Sequence, residues 1–448
     1  MRKIICRAAT FCVTAVIFLT SCGTEAALDP KNPVTLTMWH NYGGMMKETM
    51  GTLIDEFNAT VGKRRGIVVN VTSIAASREQ NEKLAMIADG MPGAPEMPDV
   101  VTAYPSMAQT LCGAGLLAEL DAYFTEAELD AYLPRFIEEG RLPDGKLYVF
   151  PIAKSTEALF VNKTYFDRFA ADTGVRLDSL STFEGIADAA VKYYEWSGGK
   201  AFFTADSWFN LAQVGTAQLG GSFVGDGILH TGADAFQRIW EFSVLPAIAG
   251  GHAVADGYSS DLYKTGDIAA CIGSTAGVLF YGDMVVLHAD TTSEPIESIV
   301  LPYPVFEGGA KIALQRGAGM VVARSDPQKE FAAAVFLKWF AASEQNMRFV
   351  SETGYLPVTK EAFDEKMMGE IGAVENPLIK RMLQTAVKTY QEYDFIVAPN
   401  VPEFDALSKG YEAELKELMR HSRKLKTERQ NIDTRALFDE FTGNRSGG

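Results

Sequence analysis

Near the start of the chain, the pattern of hydrophobic and polar positions predicts a strand that leads into a helix. Every second residue from 34 to 38 is apolar (VTLTM), a two-residue period typical of a half-buried β-strand. Turn-forming residues follow at 40–44 (HNYGG), and apolar residues then recur at helical spacing as far as Phe57. In sheets built from such units, ligands bind beyond the carboxyl ends of the strands. The turn therefore has two interpretations, a ligand site and a simple connection.

The same alternation continues along the chain and predicts an α/β fold. Strands are predicted at 67–74, 99–104, 147–151, 158–161, 266–272, 299–302 and 319–323, and helices at 78–89, 105–115, 182–197, 326–342 and over most of the chain after Pro357. Strands that alternate with helices indicate a parallel sheet flanked by helices. Because 448 residues are too many for one hydrophobic core, two domains are expected.

The first 33 residues are expected to be an export signal and a tether. Basic residues at positions 2, 3 and 7 precede a short apolar run at 8–19, so residues 1–21 are predicted to be a signal peptide. The tetrad that ends at Cys22 (LTSC) resembles the lipobox of bacterial lipoproteins, whose cysteine receives diacylglycerol. Residues 22–33 would then be a lipidated tether that holds the protein at the cell membrane, facing the periplasm or the exterior. The alternative is an ordinary signal peptide cleaved near Ala26 or Ala27.

Charge and motif content exclude several classes of function. A net charge of −16 without a basic run argues against nucleic acid, and the lipid anchor is the only membrane contact expected. The histidines are scattered, GSTAG at 273–277 is not a nucleophile elbow, and no cofactor or metal motif occurs. Cys112 and Cys271 are expected to be two small buried hydrophobes rather than a disulfide pair. A secreted glycosidase-like enzyme is the alternative from another functional class.

Six short segments give the chain a resemblance to a known family. In chain order they are WH at 39–40, SREQN at 77–81, KSTEALFVNK at 154–163, GDIAACIGS at 266–274, RGAG at 316–319 and GYLPVT at 354–359. Together they resemble the extracellular solute-binding proteins of family 1, which serve ABC importers. Within that family the chain is most similar to the binders of glycerol-3-phosphate and glycerophosphodiesters.

The resemblance implies an α/β, two-lobe periplasmic-binding-protein fold of type II. Lobe one would comprise residues 33–153 plus 300–345, and lobe two residues 154–299 plus 346–445. The discontinuous lobes would be joined by a hinge and would close on a ligand in the cleft between them. The protein is expected to act as a monomer that delivers its ligand to the permease subunits of an ABC importer.

The same resemblance implies a set of ligand-binding residues. They are Tyr42, Arg78, Glu79, Ser155, Trp208, Ser274, Gly317, Ala318 and Tyr355. The glutamate would accept hydrogen bonds from ligand hydroxyls, the serines and the 317–318 backbone would bind polar oxygens, and the aromatic rings would pack against the ligand. The alternative roles are a helix-start carboxylate for Glu79, turns and caps for the serines, and a core position for Trp208.

One departure from the family leaves the ligand open. Related glycerophosphodiester binders grip the phosphate with an arginine in a late segment, whereas the corresponding residues 393–400 (YDFIVAPN) contain no basic residue. Arg78, Arg316 and Lys154 are the candidate replacements, and Arg78 is expected because it adjoins Glu79 at a helix start. The predicted ligand is glycerol-3-phosphate or a glycerophosphodiester, and an oligosaccharide is the alternative.

Overall fold

The computed structural model describes residues 28–443, except 75–76, 233, 287–291, 364, 400 and 402–403. The predicted signal peptide, Cys22 and most of the tether lie outside the described residues. No helix in the described part of the chain is long and apolar enough to cross a membrane.

The described residues form short strands joined mainly by helices. In chain order, the strands are β1 (Val34–His40), β2 (Ile67–Ser73), β3 (Val100–Ala103), β4 (Glu157–Asn162), β5 (Phe203–Ala205), β6 (Val224–Gly225), β7 (Ile228–Leu229), β8 (Ala270–Ser274), β9 (Met284–Val286), β10 (Ser293–Pro295), β11 (Ser298–Leu301), β12 (Ile312–Leu314), β13 (Gly319–Val322) and β14 (Asp394–Ile396). The helices are α1 (Gly44–Phe57), α2 (Lys63–Arg65), α3 (Ser77–Ala88), α4 (Pro105–Gly113), α5 (Glu126–Leu129), α6 (Pro134–Glu139), α7 (Lys163–Thr173), α8 (Phe183–Trp196), α9 (Trp208–Gln218), α10 (Asp234–Ala249), α11 (Ser259–Lys264), α12 (Pro327–Phe340), α13 (Ser343–Thr353), α14 (Lys360–Phe363), α15 (Glu365–Ala373), α16 (Pro377–Glu392), α17 (Phe404–Thr427) and α18 (Thr434–Gly443).

Two four-stranded sheets form the centres of the two lobes. The first has the order β13-β3-β1-β2, with β1 parallel to both β2 and β3 and with β13 antiparallel to β3. The second has the order β11-β4-β8-β5, in which β4 is antiparallel to both of its neighbours. The prediction of a parallel sheet is therefore correct for β1–β3 and wrong for β4. This strand enters the second lobe directly from the first, without the crossover helix that makes neighbouring strands parallel.

Local signals in the sequence position several elements well. The Thr182 hydroxyl caps α8 by accepting a hydrogen bond from the backbone N–H of Gly185 at 3.1 Å, and Pro327 is the first residue of α12. The strand predicted from residue 266 begins only at Ala270, and β14 was not expected from the sequence. Its partner β12 lies more than 80 residues earlier in the chain, so no local pattern indicates the pairing.

Extended segments carry the chain between the two sheets. The Lys154 backbone exchanges two hydrogen bonds with Leu356, and that of Ser155 exchanges two with Arg316, all between 2.6 and 3.0 Å. Residues 150–157, 312–319 and 354–358 therefore run side by side as the hinge segments. β11 ends at Leu301 within the second sheet. The lobe boundaries at 153/154, 299/300 and 345/346 stay predictions.

A histidine in the second lobe lies inside an aromatic cluster. The ring of His252 lies 5.0 Å from Phe203, 4.9 Å from Phe242 and 5.7 Å from Trp208, measured between ring centroids. Burial lowers the pKa of His252 from its usual value of 6.5 to about 3. The imidazole is therefore neutral in the folded protein at pH 5, where the unfolded chain carries it protonated.

We expect His252 to make the protein sensitive to acid. Its contribution to the free energy of unfolding is complete above pH 6.5 and is lost as the pH falls towards 3, because only the unfolded chain takes up the proton. Between pH 7 and pH 4 this loss is about 3 kcal/mol. Urea unfolding of His252→Phe at both pH values should show a smaller loss than the wild type. The exposed His421, changed to Gln, is the control. Equal losses in all three proteins would refute this role.

Candidate ligand-binding cleft

A cleft of about 570 Å³ lies between the two lobes, beside the hinge segments. Asn81, Tyr104 and Glu139 line it from the first lobe, while Asn210 and Asp405 line it from the second. A larger cavity of about 920 Å³ is lined by 176–182, 301–311 and 388–393, and it shares no lining residue with the cleft. None of the nine predicted ligand residues lines either cavity. Arg316 does line the cleft, and it precedes Gly317 directly and pairs through its backbone with Ser155. The cleft is therefore the candidate site.

A buried carboxylate holds an arginine at the floor of this cleft. Nη1 of Arg316 donates to Oε1 of Glu157 at 2.9 Å, and Nδ2 of Asn210 donates to the same oxygen at 2.8 Å. The Glu157 side chain is 2% exposed and that of Arg316 is 31% exposed, so the guanidinium reaches the cleft from a buried anchor. Burial raises the pKa of the Glu157 carboxyl, Arg316 and Asn210 oppose this shift, and nearby Asp206 adds to it.

The backbone beside this arginine requires a glycine. Gly317 has a φ of +104°, and a Cβ placed there would lie 3.0 Å from the carbonyl oxygen of Ala153. The close approach lets Ser155 and Arg316 pair through their backbones. Gly317 therefore fixes the direction in which the Arg316 side chain leaves the hinge.

Two of the predicted tyrosines form a cluster beside the hinge, outside the cleft lining. The rings of Tyr42 and Tyr355 meet edge to face at 5.9 Å, and Phe349 stacks on Tyr355 at 5.8 Å. Burial, with smaller contributions from neighbouring phenols, raises the pKa of both tyrosines above the usual value of 10. They are therefore neutral hydrogen-bond donors at pH 7. The Tyr42 backbone N–H donates to Nδ1 of His40 at 3.2 Å, which secures the turn after β1 locally.

The structure brings six of the nine predicted residues to the hinge region, although none of the nine is among the residues that line the cleft. Ser155 and Gly317 lie in adjacent hinge segments, with Ala318 following directly. Ser274 ends β8, in register with Glu157 of β4. Together with Tyr42 and Tyr355, these residues belong to one region of the molecule.

The other three predicted residues lie elsewhere. Arg78 is 89% exposed and pairs with Glu82 one helical turn along α3, while Glu79 is 52% exposed and pairs with Lys83. Neither of them lines the cleft. Trp208 is 1% exposed and lies in the core of the second lobe, which matches its alternative role. The ligand roles of these three residues stay predictions.

Sequence reasoning missed Glu157, Asn210 and Tyr104. A signal for Glu157 was present, because it is the only charged residue in a strand that is buried throughout (EALFVN). A charged group at such a position is seldom buried unless it is paired. Along α3, Gln80 turns inward and donates to the carbonyl of Thr102 at 2.6 Å, and the next residue, Asn81, lines the cleft.

A second buried ion pair braces the hinge. Nζ of Lys154 lies 2.9 Å from Oε2 of Glu139, and the two side chains are 2% and 8% exposed. The same ammonium donates to the carbonyl of Gly317 at 3.0 Å. Gln315 also donates to the Glu139 carboxylate. Through these two contacts, Lys154 links its own hinge segment to α6 of the first lobe and to the hinge segment that contains Gly317.

The described part of the chain contains neither a metal-binding cluster nor a disulfide bond between its two cysteines. No group of three or more His, Cys, Asp and Glu residues there could hold a metal ion. Cys112 and Cys271 are unpaired thiols. Burial raises the pKa of the Cys271 thiol to about 12, so it behaves as a small hydrophobe.

Known proteins share both the sequence pattern and the fold. The sn-glycerol-3-phosphate-binding periplasmic protein UgpB of Rhizobium meliloti (strain 1021) is 22% identical over 409 residues, which cover 85% of this chain and 88% of that protein. The structure of UgpB from Mycobacterium tuberculosis in complex with glycerophosphocholine aligns with a TM-score of 0.68 at 18% identity, covering 89% of this chain and 99% of that one.

A sugar-binding protein has a similar fold. The cyclic alpha-maltosyl-1,6-maltose binding protein from Arthrobacter globiformis aligns with a TM-score of 0.69 at 19% identity, covering 87% of this chain and 95% of that one. These neighbours have the type II periplasmic-binding-protein fold, so the predicted fold is confirmed. The model of the family described as bacterial extracellular solute-binding protein matches residues 52–376. The chain therefore belongs to the bacterial extracellular solute-binding proteins, and it is the substrate-binding protein of an ABC importer rather than an enzyme.

Proposed function

We propose that this protein binds glycerol-3-phosphate or a glycerophosphodiester for uptake by its importer, and that Arg316 is the group that binds the phosphate. The observation that carries the proposal is the guanidinium on the cleft floor. One of its nitrogens is held by Glu157, and no other side-chain nitrogen of Arg316 has a hydrogen-bond partner among the described residues. A guanidinium presents its donors as a rigid fork that fits phosphate oxygens.

The other cations near the cleft are already engaged. Arg141 pairs with Asp121 at 3.0 Å, and Lys154 is bound to Glu139 and to the hinge backbone. Arg78 lies outside the cleft lining. In this proposal, Arg316 takes the place of the arginine that residues 393–400 lack.

The remaining groups suit the glycerol part of such a ligand. Tyr104 lines the cleft and offers a hydroxyl and a ring face, and rings pack well against the C–H surface of a polyol. Tyr42 and Tyr355 pack edge to face beside the hinge, outside the cleft lining. The side-chain amides of Asn81 and Asn210 enter the cleft from opposite lobes. A ligand that contacts both lobes favours the closed form of the hinge, because only that form makes both sets of contacts.

An oligosaccharide is the second candidate. Glu138, Glu139 and Asp405 line the cleft, and carboxylates accept hydrogen bonds from sugar hydroxyls. The Arthrobacter neighbour is named for binding a cyclic maltosyl-maltose. An acidic lining of this kind suits a neutral ligand better than an anion.

Native mass spectrometry of freshly purified protein tests the assignment without a choice of ligand. Binding proteins with tight sites often retain a cellular ligand, which is released by denaturation and fragmented. A glycerol ester that contains phosphorus supports the proposal. A hexose oligomer would overturn it and support the oligosaccharide receptor.

The lipid anchor at Cys22 is part of the same proposal. Replacing Cys22 by alanine should abolish acylation and release a folded protein, because the cysteine is the attachment point of a lipobox. Detergent phase partitioning of the wild type and of Cys22→Ala, with Cys112→Ala as the matched control, measures the effect. If Cys22→Ala still enters the detergent phase, the lipobox assignment is wrong.

A further inference from the structure

The positive charge of Arg316 at the cleft floor is compensated by a carboxylate, Glu157, that is buried beneath it. Glu157 lies directly behind the two side chains that line this part of the cleft, and it accepts hydrogen bonds from both Arg316 and Asn210. It is the first residue of a strand that is buried throughout. A second carboxylate, Asp206, lies close by and is held by the backbone N–H of Ser259 at 2.8 Å.

This arrangement should bind a ligand with one negative charge more tightly than a ligand with two. A phosphodiester carries one negative charge at neutral pH, whereas a phosphomonoester carries about 1.5 to 2. Arg316 and Glu157 together have no net charge, so the guanidinium orients an anion without supplying a surplus positive charge. The additional charge of a monoester then meets the Glu157 carboxylate in a partly dry site, where repulsion between like charges is strong.

We propose that Glu157 is a specificity-determining residue that makes the cleft select monoanionic phosphodiesters over dianionic phosphomonoesters. This inference rests on the proposed function and narrows its ligand class. Glu157 acts through Arg316, because it orients the guanidinium and at the same time limits the negative charge that the guanidinium can accept. Among the described residues, the other titratable groups that interact electrostatically with this pair include Asp206, Tyr303, Tyr104 and Tyr355.

The wild-type protein provides the first test. Calorimetry measures the dissociation constants of glycerophosphocholine and glycerol-3-phosphate at pH 7.5 and at pH 5. The monoester loses one charge over this range because its second pKa is about 6, whereas the diester keeps its charge. The preference for the diester should therefore shrink by roughly tenfold or more at pH 5. Protonation of Glu157, whose pKa burial raises, would shrink the preference in the same direction, because it removes the charge that repels the monoester. An unchanged ratio would overturn the inference.

The second test changes the carboxylate itself. Glu157→Gln keeps an oxygen that accepts from Arg316 but removes the charge, so it should improve the binding of glycerol-3-phosphate relative to glycerophosphocholine by about tenfold. Glu294→Gln is the matched control, because Glu294 pairs with Arg168 at 3.0 Å away from the cleft. Equal changes for both ligands would mean that Glu157 only positions Arg316. Should Glu157→Gln fail to fold, the wild-type ratio decides.

The two proposals fail in different ways. If neither phosphate compound binds the wild type, the proposed function fails. If glycerophosphocholine binds but the preference over glycerol-3-phosphate responds neither to pH nor to Glu157→Gln, only the inference about Glu157 fails.

Discussion

Replacing Lys154 by methionine is expected to lower the free energy of unfolding by about 3–5 kcal/mol, because it leaves the Glu139 carboxylate buried without its cation. The ammonium and the carboxylate are 2.9 Å apart and almost completely buried. The cost comes from desolvation, since the carboxylate keeps its burial and loses the charge that compensates for it. Urea unfolding at pH 7 measures the change.

The double variant Lys154→Met with Glu139→Gln separates charge from packing. It removes the unpaired carboxylate, and the new amide still offers an acceptor to Gln315, so most of the lost stability should return. If the single and the double variant are equally unstable, packing of the lysine chain is what matters and the electrostatic account of the hinge is wrong.

Replacing Arg316 by alanine is expected to weaken binding of a glycerophosphodiester by about tenfold to a hundredfold. A charge-assisted hydrogen bond contributes about 1.5–3 kcal/mol, which corresponds to that range. Arg316→Lys should also bind more weakly than the wild type, because it keeps the charge but loses the forked geometry. Calorimetry with glycerophosphocholine measures both effects, and thermal unfolding checks that each variant is folded.

Two further arginines make this result specific. Arg168→Ala removes a paired arginine remote from the cleft and should leave binding unchanged. Arg78→Ala tests the position that the sequence favours for phosphate binding. If Arg78→Ala weakens ligand binding and Arg316→Ala does not, the phosphate is bound at the start of α3 and the assignment to Arg316 is wrong.

Local patterns were sufficient to predict the elements that frame the site. The alternation at 34–38, the turn at 40–44 and the helix that follows are visible in the sequence and appear as β1 and α1. The extended character of 147–151 is confirmed by the backbone pairing of Phe150 with Met320. The sequence patterns that predict these features each span about ten residues or fewer, although the strands themselves pair with distant partners.

The contacts within the cleft could not be predicted in the same way. Arg316 and Glu157 are 159 residues apart, and no local pattern indicates that they form an ion pair. On α3, the family resemblance pointed to Arg78 and Glu79, but a rotation of about 100° per residue decides which side chains face the cleft. There the structure places Gln80 inward and Asn81 at the cleft. Which of these neighbouring side chains faces the cleft depends on how α3 packs against β3, and the sequence alone does not reveal that packing.

The most direct test of the account is calorimetry of the wild-type protein with glycerophosphocholine, glycerol-3-phosphate and a maltooligosaccharide. The account predicts saturable binding of the phosphodiester, with one ligand per protein and no measurable heat of binding from the sugar. Tight binding of the maltooligosaccharide, with no response to either phosphate compound, would contradict it.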